Sequence, residues 1–172
     1  PYLNPLVTMR PMHIVDGHLD LALNALEFKR DLKLPLDQLR QRQTSEATEK
    51  IGIPTVTFDR FKAGRIKFIV STLLARAKPW ALVSPIPNAI AGDWPTQDMA
   101  YAIAQGQLAW YRLMEQCGYL RVITTSQQLE SHWLEQDVPL GVILTLEGAD
   151  PIVDPDQIYT WHAQGLRTLM LA

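Results

Sequence analysis

The run Gly141-Val142-Ile143-Leu144-Thr145-Leu146-Glu147 constrains the fold more than any other stretch of this chain. A strand with one face in water alternates apolar and polar residues. This one is apolar almost throughout, which fits a parallel strand covered on both faces. Parallel strands need crossover connections, usually helical, so strands and helices must alternate around it. Glu147, at the carboxyl end of the run, does not fit a core. Ligands of parallel α/β folds gather outside the carboxyl ends of the strands, where side chains from several strands converge. Taken alone, Glu147 reads as a solvated loop carboxylate ahead of a turn at Gly148.

A second strand end of the same kind changes that reading. Met12-His13-Ile14-Val15 reads as a short buried strand, Gly17 lets the chain turn, and His18 and Asp20, two residues apart, point the same way. An imidazole nitrogen with carboxylate oxygens is a donor set suited to zinc. A His-x-Asp triplet by itself is most often a surface histidine beside a solvated aspartate. If both strands lie in one sheet, His18, Asp20 and Glu147 meet at its carboxyl edge as candidate metal ligands.

The rest of the chain supplies the alternation. An irregular stretch to about residue 60 reads as a functional loop or short helices. Ile66–Leu74 is a strand, followed by a proline-rich loop from Lys78-Pro79-Trp80 to Trp94-Pro95 that suits a pocket wall. A helix fits Thr96 to Cys117, with Thr96 as N-cap, Met99, Ile103, Leu108 and Leu113 as its apolar positions, and Gly118 at C′. Leu120–Ile123 is a short strand, and Ser126 caps a helix to about Glu135 with Leu129 and Trp133 facing inward. After the Glu147 strand, Asp154-Pro155-Asp156-Gln157 carries the residues of an N-cap, a first helical proline and a capping box. Gly165 ends that helix and residues 166–172 form a last strand. Repeated βα units give a doubly wound sheet or a barrel. The absence of a glycine-rich phosphate loop and a site drawn from distant strand ends favour the barrel.

Bulk properties narrow the function. The 172 residues suit one domain, and 47% hydrophobic content with a mean hydropathy of −0.05 suits a soluble globular protein. Sixteen basic against eighteen acidic residues, without a basic cluster, speak against nucleic acid as a partner. No apolar segment is long enough for a membrane span, and Pro1-Tyr2-Leu3-Asn4-Pro5 lacks the features of a signal peptide. The missing initiator Met suggests that the amino terminus was removed or lies upstream. Cys117 alone excludes an internal disulfide and a cysteine zinc cage, suits a reducing, cytoplasmic compartment, and reads as a small apolar residue on a helix. His132 and His162 fall in helices beside Trp133 and Trp161, where packing or surface roles are expected, and His13 is assigned a structural role on the face opposite the site. Asp59, Asp93 and Asp150 are possible pocket carboxylates, with Trp80 and Trp94 near the pocket.

The motifs in their order resemble the amino-terminal half of the membrane (renal) dipeptidase family of zinc metallopeptidases. Asp16-Gly17-His18-Leu19-Asp20 resembles the family's Asp-Gly-His-x-Asp, Glu147-Gly148 its Glu-Gly, and Gly165-Leu166-Arg167-Thr168-Leu169 its Gly-x-Arg-x-Leu strand. Ala149-Asp150 departs from the common Gly-His, which touches the local pocket and not the ligands. The resemblance implies a partial (β/α)8 TIM-type barrel of the metal-dependent hydrolase type with two zinc ions. His18 and Asp20 would bind one ion and Glu147 would bridge both. A bridging carboxylate keeps two metals close enough to share a hydroxide that attacks the peptide carbonyl of a dipeptide. Tolerance of D-residues on the carbonyl side is implied in the same way. The family's remaining zinc histidines, its substrate-binding histidine and its acid/base aspartate lie on later strands. A complete barrel takes about 250 residues. The expectation is therefore an incomplete barrel with an unpaired final strand, completed by further chain, another polypeptide or a homo-oligomer, with catalytic residues beyond the ligands unknown. The alternatives are an inactive half-barrel interaction module, or a metal-dependent hydrolase of another amide or ester.

Overall fold

The computed structural model describes residues 12–79 and 92–171. The first strand, β1 (Ile14–Leu19), leads directly into α1 (Leu21–Leu26). The stretch to residue 60 resolves into short helices: α2 (Leu36–Arg42), α3 (Ser45–Ile51) and α4 (Phe58–Ala63). Then come β2 (Ile66–Leu74), the two-residue strands β3 (Arg76–Ala77) and β4 (Asp93–Trp94), and the long helix α5 (Gln97–Gln116). The chain continues through β5 (Leu120–Val122), α6 (Ser126–Leu134), β6 (Leu140–Glu147), α7 (Gln157–Ala163) and β7 (Leu166–Met170).

All pairings among the described residues are parallel. β1 pairs with β2 and β2 with β6, while β5 and β7 share the other edge of β6, β5 at its start and β7 at its end. This is a mixed α/β fold around a parallel sheet, consistent with part of a TIM-type barrel; a closed barrel is absent among the described residues. β6 is the central strand its sequence predicts. Register alignment of Leu74 with Glu147 brings the carboxyl ends of β2 and β6 level, and Leu19 sits opposite Ser71. The final strand is paired on one edge, to β6, rather than unpaired.

The core lies where α1 and α5 pack on the sheet, around Ile69, Leu73, Leu144, Leu146, Leu108 and Tyr111. On α5 the buried stripe is Ala100, Ala104, Gln107, Leu108, Tyr111 and Met114, whereas Met99 and Leu113 are exposed. Small alanines let the helix approach the sheet closely, and Gln107 satisfies the backbone of Leu74 at both its N–H (2.7 Å) and its carbonyl (2.8 Å). Thr96 caps α5, and Gly118 takes φ +79 at its end, as the sequence predicts.

Other expectations are corrected. β1 is exposed at Ile14 (48%) and Val15 (45%) instead of buried, because among the described residues only β2 pairs with it. Gly17 remains within the strand, at an irregularity of register between Asp16 and Leu19, and makes no turn. The cap of α6 is Thr125, not Ser126, and His132 faces inward while Trp133 is exposed. Asp154 and Pro155 open a turn with i to i+3 bonds, so α7 starts only at Gln157. Cys117 is exposed at the C-cap of α5. Trp80 and most of the proline-rich loop lie outside the described residues. No helix among them is long and apolar enough to cross a membrane.

Candidate metal centre

His18 is the penultimate residue of β1, Asp20 follows at the N-cap position of α1, and Glu147 ends β6. One ligand atom from each lies within 4.8 Å of the other two. His18 Nε2 stands 3.4 Å from Glu147 Oε2 and 3.6 Å from Asp20 Oδ1. Two ligands about 2.1 Å from a tetrahedral zinc stand about 3.4 Å apart, so the spacing fits. Among the described residues this is the one such cluster of metal-ligating side chains.

Electrostatics favour a cation there. Glu147 Oε2 is buried without a hydrogen-bond partner among the described residues. Burial pushes the Glu147 carboxyl above its ordinary range, the neighbouring Asp20 carboxylate raises it further, and His18 partly offsets both. Two carboxylates beside an imidazole are a donor set that a divalent cation would relieve of both repulsion and desolvation.

Local structure holds each of the three candidates. The Asp16 carboxylate accepts the backbone N–H of His18 at 3.0 Å, which fixes the strand irregularity. The Thr72 hydroxyl donates to Asp20 Oδ1. Gly148, at φ +89, turns the chain away just after Glu147, with its N–H on the carbonyl of Met170. Asp16 and Thr72 escaped the sequence reading as supports. A readable signal was the pair Ser71-Thr72, polar and buried inside an otherwise apolar strand.

The other candidates separate from the site. Asp59 lines a cavity at the opposite, amino-terminal end of β2 and β6, and accepts the hydroxyl of Thr57. Asp93 forms a 2.6 Å ion pair with Arg76, and Asp150 accepts the N–H of Ala77 at 2.9 Å. Both brace the rim near Glu147. Trp94 packs against the core. His13 stacks edge-on against Trp133, His162 is exposed, and the His132 ring is buried on the carbonyl of Lys67.

No protein-family model matches the sequence, and no curated protein does. Solved structures do match. The dipeptidase AC, a metallo peptidase of family M19, superposes with a TM-score of 0.60 at 22% identity, over 93% of this chain and 42% of that one. The chain shares the fold of known metallo-dipeptidases. A metallo peptidase from Rhodobacter sphaeroides, liganded with a phosphinate mimic of the dipeptide L-Ala-D-Ala, gives a TM-score of 0.60 at 21% identity, over 92% and 44% of the two chains. The probable dipeptidase PvdM from Pseudomonas aeruginosa gives 0.61 at 12% identity, over 94% and 35%. The chain therefore spans less than half the length of each of these neighbours.

Proposed function

We propose that the chain carries the first part of a metal-dependent dipeptidase site, with His18, Asp20 and Glu147 as ligands of zinc. The convergence of these three donors at the carboxyl edge of the sheet carries the reading. His18 offers Nε2, Asp20 a carboxylate oriented by Thr72, and Glu147 an oxygen left without a hydrogen bond. A divalent cation held by these residues would supply a Lewis acid and a bound water of lowered pKa, so that peptide hydrolysis would need no serine or cysteine nucleophile. The motif resemblance favours two ions, which His18, Asp20 and Glu147 would help to hold. Dipeptides are the proposed substrate class, supported by the fold shared with metallo-dipeptidases. Since the chain spans 42% of the first of these neighbours, hydrolysis is proposed for the assembly that includes the rest of such a barrel.

The test is zinc content after dialysis, measured by elemental analysis on the chain and on Glu147→Gln, which keeps the shape of the side chain and removes its charge. The chain is expected to retain zinc and the variant to lose it. Equal content in both rules out the ligand assignment. In the complete assembly, a panel of dipeptides against cyclic amides and lactones then reads the substrate class.

A further inference from the structure

Behind the candidate ligands lies a set of hydroxyl groups that the metal chemistry does not itself use. Tyr111, fully buried on α5, brings its hydroxyl within 2.6 Å of Ser71 Oγ, 3.1 Å of the Thr72 carbonyl and 3.3 Å of the Ala22 nitrogen. Ser71 Oγ donates to the carbonyl of Leu19 at 2.7 Å. Two hydroxyl protons serve these three contacts. Ala22 N–H donates to the Tyr111 hydroxyl, the Tyr111 and Ser71 hydroxyls bond to each other, and the Thr72 and Leu19 carbonyls accept from Tyr111 and Ser71 in turn. The chain of bonds starts and finishes on either side of Asp20. Thr72, next to Ser71 on β2, donates its own hydroxyl to the Asp20 carboxylate.

We propose that Tyr111, Ser71 and Thr72 are positioning residues that preset Asp20 for metal binding, the first two by clamping the backbone at Leu19 and Ala22 and the third by orienting the carboxylate. The proposal rests on the reading of His18, Asp20 and Glu147 as ligands. Asp20 is where positioning is needed. It stands between strand and helix at φ −89, ψ 63, and its side chain caps nothing in α1. Helix α1 holds the Asp20 carbonyl, which accepts the Asn24 N–H at 3.1 Å and Asn24 Nδ2 at 2.9 Å, but does not orient the carboxylate. Outer hydrogen-bond partners that orient metal ligands are typically worth about 10–100-fold in affinity. A tyrosine serving only the core would give up stability on losing its hydroxyl and leave metal affinity alone.

The experiment is zinc affinity by competition with a chromogenic chelator, alongside the midpoint of thermal unfolding. It compares the chain with Tyr111→Phe, Thr72→Val, Thr72→Ser, Leu108→Ala and Glu147→Gln. Leu108→Ala opens the same helix–sheet contact without touching a hydroxyl. Tyr111→Phe and Thr72→Val are expected to weaken zinc binding by about 10–100-fold, Thr72→Ser to restore it, and Leu108→Ala to lower the unfolding midpoint only. Wild-type affinity in Tyr111→Phe and Thr72→Val, or equal weakening in Leu108→Ala, overturns the positioning role while the ligand assignment stands. Identical binding by the chain and Glu147→Gln overturns the ligand assignment and the positioning role with it. Should Tyr111→Phe fail to fold, the Thr72→Val and Thr72→Ser pair decides.

Discussion

Gly141 has no side chain because other residues fill its space. A Cβ there would lie 2.7 Å from His132 Nε2 and 2.8 Å from both Ile123 Cδ1 and Phe68 Cβ. Phe68 Cβ is held next to its backbone, so the neighbours have little room to yield. Gly141→Ala is expected to destabilise the chain by about 1–3 kcal/mol, measured by urea unfolding, whereas Gly106→Ala, on α5 with nothing within 4 Å of its Cβ, should not. At this scale the candidate ligands are legible in the sequence and the groups that hydrogen-bond them are not. His18, Asp20 and Glu147 sit at strand ends, where chemistry is legible from pattern alone. His132 and Trp133 are adjacent, and the apolar pattern put the tryptophan inside. The structure puts the histidine there, because its ring can bond the Lys67 carbonyl at 3.0 Å and occupy the space above Gly141.

Helix ends show how local signals act. Thr125 and Gln128 form a reciprocal capping box on α6, each side chain satisfying the other's backbone N–H. Thr125→Ala should cost about 0.5–2 kcal/mol, and Ser126→Ala next to it far less, a contrast that equilibrium unfolding can read. The sequence carries two hydroxyl residues in a row, and only the extended backbone of Thr125 (φ −137, ψ 156) selects the first as cap. The same holds for Asp154-Pro155-Asp156-Gln157. The Asp154 carboxylate accepts the N–H of Asp156 and the Gln157 side chain reaches back to Val153, but they close a tight turn ahead of the helix. On α5 the apolar periodicity was present twice, and close approach to the sheet favoured the alanine face over the Met99–Leu113 face.

Across the whole molecule, buried titratable groups tie stability to pH. Burial holds the His132 imidazole below its ordinary range; the Lys67 carbonyl opposes this, the Lys67 and Arg121 charges add to the depression, and Glu135 opposes it again. With the folded value below the unfolded one, the unfolded chain binds the proton first as pH falls. The contribution is complete above about pH 6.5 and is lost as pH drops from there through the folded-state value. Glu27 and Glu147, both raised by burial, act in the opposite sense and favour the fold at the acid end. The difference between the chain and His132→Gln isolates the histidine. Between pH 7.5 and 5.5 the chain should lose more stability than the variant, and parallel pH profiles would count against this account.

The sequence by itself determined the parallel α/β character, the central strand ending in Glu147, the alternation of strand and helix, and the three candidate ligands, because hydrophobic period and strand-end chemistry are local properties. Tertiary structure alone decided the rest. The exposure of β1 depends on which strands pair with it, and the inward turn of His132 on the space left by a glycine in another strand. The hydroxyl chain from Ala22 through Tyr111 and Ser71 to Leu19 joins residues as much as 89 positions apart, a proximity that only the packing of α5 on the sheet creates.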